Sequence, residues 1–318
     1  MKTISTKGLS REAWLAIRMG GIGGSDAAAA LGISPFTSPI RLWLEKTGAM
    51  EPEDLSDNSR VRAGNYLEPV VAQWYADENP AIKVQRRNAV LFCDEHPFML
   101  ANLDRVIKCP ERGKGGLEIK APDARSAPYW EEDVPDYYQI QVQHYMAVDP
   151  SLAFFDVAAL IGGNDFRQFH IQRDPDLIAA LIEGETRFWE MVQSGVMPQA
   201  IGSDDEAGCF RHLFPGTNAE VLDLSSTVAV DLASEYLAAK TERDAAEARR
   251  KKASSEIKTL MGQHVKGKAG EVSISWSRFK KRKTDLDGLR AHHPAIMAEH
   301  TTMVDDDRLT VTPPKPKK

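Results

Sequence analysis

Apolar positions in the first two thirds of the chain recur at two periods, and the switch between them divides it into elements. Trp14 and Ile17, with Leu15, give one side of a helix over 11–19 that Ser10 caps and Gly20-Gly21-Ile22-Gly23-Gly24 ends. Ser25 or Asp26 then caps a short alanine-rich helix over 27–31, with no strand legible ahead of it. Ser38-Pro39, cap and first-turn proline in the expected order, opens a helix to about Thr47. An acidic loop over 48–57 leads to a longer helix over 58–79. There Leu67, Val70, Val71, Trp74 and Tyr75 form the stripe, and Glu68 lies off its centre. The period then falls to two: strands are predicted over 89–93, 99–107 and 117–121, with 111–116 as the loop of an antiparallel hairpin. A helix over 135–149, a hairpin of 153–161 with 166–172, and an amphipathic helix over 174–194 complete a domain of about 200 residues.

Beyond it the pattern thins. Residues 201–224 read as a linker rich in Gly, Pro and acidic side chains. Residues 225–261 read as one long helix. Its seven-residue repeat of Leu232, Ala239, Ala246, Ala253 and Leu260 is spoiled by Arg243 and Arg250 on the companion seam, so a thin, exposed helix is expected and not a strong coiled coil. A small hairpin over 262–277, with Val272, Ile274 and Trp276 alternating, a helix over 285–299 and a basic tail over 313–318 finish the appendage, 225–312. Basic residues are dense at 249–252, 280–283 and 315–318, although the net charge of the 318 residues is −6. The total therefore neither announces nor excludes nucleic acid. Trp276 beside Lys280–Lys283 offers stacking with phosphate neutralisation, and a solvated arm is the equal alternative. Cys93, Cys109 and Cys209 form no CxxC, so reduced thiols in a cytoplasmic protein are expected, and residues 1–21 hold no apolar signal segment.

The candidate chemistry lies at Gly115-Gly116-Leu117-Glu118-Ile119-Lys120-Ala121-Pro122. On a strand Glu118 and Lys120 point one way and Ile119 the other. A carboxylate that can hold a divalent metal, beside an ammonium that can orient water or steady a phosphate, suits phosphodiester hydrolysis. A surface ion pair has the same spacing, and Glu256-Ile257-Lys258 repeats it on the long helix, where the two side chains lie about 200° apart. Asp104, expected inside an apolar strand, needs a partner, a proton or a metal there, and can face Glu118 across the hairpin. The glycine loop at 20–24 before a capped helix is either an anion cradle or a plain turn. Tyr138, Gln141 and Tyr145 share one face of the helix over 135–149, which suits either a polar ligand or a tyrosine-rimmed core.

In order, five pieces resemble the lambda-exonuclease/YqaJ viral recombinase group of the PD-(D/E)xK nuclease superfamily. They are Trp14-x-x-x-Arg18 with Gly23-Gly24-Ser25-Asp26-Ala27-Ala28; Gly64-Asn65-Tyr66-Leu67-Glu68-Pro69; Asn102-Leu103-Asp104-Arg105; Leu117-Glu118-Ile119-Lys120; and Tyr138-x-x-Gln141-Val142-Gln143. Leu103 stands where the superfamily motif has proline, and Asn102 where relatives often carry a small hydroxyl residue. The resemblance implies an α/β (α+β) restriction-endonuclease-like core, a central mixed sheet flanked by helices. It implies a Mg²⁺-dependent 5′→3′ exonuclease on 5′-phosphorylated duplex ends that leaves 3′ overhangs for strand-annealing recombination. Asp104, Glu118 and the Ile119 carbonyl would hold metal, and Glu68 would support a second ion or its waters, with Mn²⁺ able to replace Mg²⁺. Lys120 and Gln141 would position water and phosphate; Arg18 and Ser25 would clasp the 5′-phosphate, with Asn102 and Tyr138 near the DNA. It further implies a homotrimeric ring, a single-strand annealing partner and a bacterial cytoplasm, with host and phage or prophage origin both left open. An endonuclease with the same core, or a DNA-end binding module without chemistry, are the rival readings.

Overall fold

The computed structural model describes residues 2–216, 218, 220–225, 227–277, 279–303 and 309–311. Two compact units divide at Pro215 and Gly216. The first unit opens with β1 (Thr3–Ser5), α1 (Arg11–Met19), β2 (Ile22–Gly23), α2 (Gly24–Ala30), α3 (Pro39–Lys46) and α4 (Ser59–Glu78). Strands β3 (Lys83–Arg86), β4 (Ala89–Phe92), β5 (Met99–Ala101), β6 (Arg105–Cys109) and β7 (Gly113–Lys120) follow. A 3₁₀ turn (Ala124–Trp130) leads to α5 (Asp136–Val148), then β8 (Phe154–Ile161), β9 (Asp165–Gln172), α6 (Pro175–Ser194) and α7 (Glu206–Leu213).

The strands form two sheets. One runs β3-β6-β7-β8-β9; only β7 and β8 are parallel, because α5 carries the chain across between them. The other runs β1-β4-β5-β2, with β2 parallel to β5. The fold is thus α+β with mixed sheets flanked by helices. The five-stranded sheet separates two helical layers. Val71 and Tyr75 of α4 pack against Leu117, Ile119, Phe154 and Ala158 on one face. Val142, Tyr145 and Met146 of α5 pack against Val106, Phe155, Val157 and Ala159 on the other. That second core also contains Leu91, Met99 and Ala101 of the four-stranded sheet, so the two sheets share it.

Buried polar groups fix the helices that carry the site. His144 of α5 sits between the Glu185 carboxylate, 2.8 Å from Nδ1, and the Leu100 carbonyl, 2.8 Å from Nε2, which ties α5 to α6 and β5. Burial would lower the affinity of this imidazole for its proton, but Glu185 outweighs it and raises it. At the far end of the sheet Asp156 takes a bidentate pair from Arg112, both at 2.8 Å, together with the Tyr75 hydroxyl and His170. This anchors α4 to β8.

Several expected boundaries move for physical reasons. The span 99–107 is two strands, because the chain leaves one sheet for the other over 102–104. Asp104 therefore lies at a joint and not within a strand. The hairpin turn is only Pro110–Arg112, and β7 already starts at Gly113, whose φ is +80°. Gly115 and Gly116 are strand residues and not a turn: a Cβ on them would stand 2.6 Å from Phe154 Cζ and 2.1 Å from Phe155 Cζ. They are glycines because two rings lie flat on the strand. A strand, β2, does precede α2, and the helix begins at Gly24 and not at Ala27. The linker span holds α7, which turns Cys209 into the core under α3, while the Glu206 carboxylate accepts from Ile201 N and Gly202 N, each at 2.9 Å. Strands β1 and β3 carry too little apolar alternation to be read from sequence.

The second unit contains α8 (Thr227–Met261), β10 (Lys266–Ala269), β11 (Val272–Ser275), α9 (Leu286–His292) and α10 (Pro294–Glu299). The helix expected over 285–299 is two, since Pro294 cannot donate into the preceding turn. As expected, α8 is exposed along most of its length. Trp276 is half-buried, with Lys258 Nζ 5.9 Å from its ring centre. The basic tail 313–318 lies outside the described residues.

Candidate active site

Strand β7 delivers Glu118 and Lys120 to the α5 layer, as the strand alternation requires, while Leu117 and Ile119 face α4. Lys120 Nζ lies 2.7 Å from Glu118 Oε1 and 3.0 Å from Gln141 Oε1. Gln141 Nε2 donates to the same Glu118 oxygen at 2.7 Å and lies 2.9 Å from the Tyr145 hydroxyl. Glu118, Gln141 and Tyr145 are buried. The shared face of Tyr138, Gln141 and Tyr145 thus serves both open readings: Tyr145 is core, and Gln141 binds a charged group. Tyr138 forms the floor, its ring centre 4.2 Å from Lys120 Nζ. A buried ammonium ordinarily loses affinity for its proton; Glu118 reverses that and keeps Lys120 charged.

Asp104 reaches this group from the joint between the sheets. Its Oδ2 accepts from Ile119 N at 2.9 Å. Antiparallel pairing of Arg105 with Leu117 sets that register and brings Asp104 level with Glu118, as expected. Burial, then the Glu118 carboxylate, push the Asp104 carboxyl up to about 8, against the pull of Lys120 and the Ile119 N–H. Two carboxylates therefore share one lysine. Glu118 Oε2 is buried and is the one buried side-chain oxygen or nitrogen among the described residues without a hydrogen-bond partner. An acceptor of that kind costs stability unless a cation or proton meets it. Hard oxygen donors with no thiol nearby suit Mg²⁺ or Mn²⁺.

Glu68 comes from the opposite layer. It sits on α4, and its Oε1 accepts from Arg105 Nη1 at 2.7 Å. The same Nη1 lies 2.7 Å from the Asp104 carbonyl oxygen. Accordingly, among the described residues no three His, Cys, Asp or Glu side chains converge as a ready metal cage. Asn102 is exposed on the joint, outside these hydrogen bonds.

Arg18 and Ser25 are brought together as expected, Nη2 to Oγ at 2.8 Å. Asp26 and Lys46, which the sequence reading left out of the site, complete the cluster. Arg18 Nη2 lies 2.7 Å from Asp26 Oδ1, and Lys46 Nζ lies 2.8 Å from Asp26 Oδ2 and from the Arg18 carbonyl. Asp26 does not cap from the front of α2. It sits inside the first turn and accepts from Gly23 N at 3.1 Å. Burial alone would raise the Asp26 carboxyl, but Arg18 and Lys46 bring it down to about 2. The position of Asp26, three residues after Gly23, was the readable signal; Lys46, twenty residues away, gave none.

One side chain separates the two clusters. The Tyr145 hydroxyl meets Gln141, and its ring lies against Gly24 so closely that a Cβ there would stand 2.3 Å from Cε1. The acidity of the Tyr145 phenol is suppressed by burial, then by Glu118 and Asp104, and partly restored by Arg18. Its contacts with Gln141 and Gly24 place Tyr145 between the acidic and the basic group.

The model of the YqaJ-like viral recombinase domain matches residues 13–151. The chain is 32% identical over 292 residues to the uncharacterized protein YqaJ of Bacillus subtilis (strain 168), covering 91% of this chain and 90% of that relative. Among solved structures it is similar to an alkaline exonuclease from Laribacter hongkongensis, with 19% identity, a TM-score of 0.48 and coverage of 58% of this chain and 93% of that one. It is also similar to a phage-related exonuclease from Haemophilus somnus 129PT, with 14% identity, a TM-score of 0.41 and coverage of 55% and 95%.

Proposed function

The chain belongs to the YqaJ-like viral recombinase family, and from that premise we propose that it is a Mg²⁺-dependent deoxyribonuclease. It degrades duplex DNA from a 5′-phosphorylated end in the 5′→3′ direction and leaves a 3′ single strand. The observation that carries this reading is the pair of oppositely charged clusters on the two sides of Tyr145. At one, Arg18 and Lys46 outnumber Asp26; at the other, Asp104 and Glu118 outnumber Lys120. An end-directed nuclease needs a cationic seat for the terminal phosphate and an anionic seat for metal at the bond to be cut.

Asp104, Glu118 and the Ile119 carbonyl would hold the metal, whose chemistry is to activate water and stabilise the leaving oxygen. The chain's own residues do the positioning. Lys120 stays protonated beside Glu118 and, with two hydrogens given to Glu118 and Gln141, offers its third to water or a phosphate oxygen in the transition state. Gln141 locks Glu118 Oε1 and leaves Oε2 free to face a cation. Arg18, with Ser25 at its tip, offers a charge-assisted grip on a terminal phosphate. A ring of three copies and an annealing partner belong to the same proposal, and light scattering of the purified chain tests the first.

The decisive experiment digests one linear duplex with Mg²⁺, phosphorylated at the 5′ end of one strand and hydroxylated at the other, beside a closed circle. Loss of the phosphorylated strand alone, with the circle intact, is expected. Cutting of the circle would make it an endonuclease with the same metal site. Binding without any cleavage would leave an end-binding module.

A further inference from the structure

Arg105 is a buried cation on the strand that ends the joint, and its side chain reaches the edge of the carboxylate site. It is 8% exposed, and one of its nitrogens, Nη1, meets both Glu68 Oε1 and the backbone carbonyl of Asp104 at 2.7 Å. Glu68 is close enough to Asp104 to count among the charges that raise its carboxyl, yet its own charge is already answered. Asp104 and Glu118 are in the opposite state, with a single lysine between them and one oxygen of Glu118 unmet. The three carboxylates are therefore not equivalent. Two await a cation, and the third has one built into the fold.

We propose that Arg105 is a positioning residue that acts as the resident counter-ion of Glu68. The protein then has one strong divalent-metal position, at Asp104 and Glu118, and a second ion at Glu68 binds only at the expense of the Arg105–Glu68 pair. This deepens the nuclease reading and rests on it. The guanidinium is fixed from three sides: by its place on β6 opposite Leu117, by the Asp104 carbonyl, and by α4, which the Asp156–Tyr75 bond anchors to β8. Breaking the pair leaves the buried Arg105 charge uncompensated, so a second ion must overcome that loss before it gains anything. The expected consequence is sequential loading with widely separated affinities.

The test titrates Mn²⁺ into the full chain without DNA, with bound ion counted by electron paramagnetic resonance and heat by calorimetry. The wild type is expected to take one ion strongly and a second at least ten-fold more weakly. R105Q should tighten the second position by ten-fold or more, while R105K, which keeps the charge, should behave as wild type. E68Q should abolish the weak position and leave the strong one, so the inference stays testable if R105Q fails to fold. Two ions of equal affinity in the wild type would overturn it, as would a folded R105Q whose second position is no tighter. Loss of the strong position in E68Q would overturn it too. Absence of any bound Mn²⁺ in the wild type is a different failure, that of the nuclease reading itself.

Discussion

Asp26 and Asp104 are both carboxylates set among buried neighbours of one compact unit, and they behave in opposite ways. Asp26 is met by Arg18, Lys46 and the Gly23 N–H, and its carboxyl falls to about 2 in spite of burial. Asp104 is met by the Ile119 N–H and faces Glu118, and its carboxyl rises to about 8. Burial raises both; the sign of the neighbours decides. A cluster with a spare positive charge is made for an anion, and one that holds a proton on its second carboxyl for want of a cation is made for a cation. The contrast breaks most completely where the negative group is removed. D104N or E118Q should abolish Mg²⁺-dependent hydrolysis while DNA-end binding, measured by fluorescence anisotropy, persists. K120M, which spares both carboxylates, should cost on the order of 10²–10³ in rate.

The positive group is expected to carry less. R18A should remove the preference for a 5′-phosphate over a 5′-hydroxyl, a loss of about 1.5–3 kcal/mol for a charged hydrogen bond, or roughly ten- to a hundred-fold. Single-turnover digestion of the two ends measures it, and an unchanged preference would move the clasp elsewhere. G24A tests the divider between the groups. Its methyl would press on the Tyr145 ring, and a loss of about 1–3 kcal/mol in urea unfolding is expected.

Titration should separate the two carboxylates with the smallest intervention. Without divalent metal, the folded chain keeps a proton on Asp104 that the unfolded chain gives up at its ordinary value of 3.8. Stability should therefore fall as pH rises from about 4 to about 8, and level off above. Added Mg²⁺ should recover it at pH 8, and D104N should flatten the slope. Asp26 has the reverse sign. Its contribution is complete above 3.8 and is lost as pH falls through about 2, so D26N should lower stability throughout the range above 3.8 and change its slope with pH only on the acid limb.

The parts legible in the sequence were those carried by local spacing. Ser10 and Ser38 cap helices where expected, and Glu-x-Lys on a strand gave the face that meets Gln141. The family resemblance supplied the pairing of Arg18 with Ser25. What escaped was long-range. Lys46 and Arg105 look like ordinary surface charges until folding brings them to Asp26 and Glu68. The run over 99–107 opens with Met99-Leu100-Ala101 and closes with Val106-Ile107, so it reads as one strand and nothing local marks the change of sheet at Asp104. Gly115 and Gly116 read as a turn because the rings that require them, Phe154 and Phe155, lie 39 residues further on.

The joint at 102–104 has a consequence for the product. The clasp stands at the start of α2, which continues β2 of the four-stranded sheet, whereas Glu118 and Lys120 stand on the five-stranded one. Asp104 is where the chain steps between them, and the shared core around Leu91, Met99 and Phe155 prevents the two sheets from sliding. On the proposed reading, the gap between a held end and the bond that breaks is therefore a ruler cut into the backbone. Its length decides how many nucleotides leave at each turnover. A change in the packing of the two sheets would be read in the size of the fragment released before it was read in the rate.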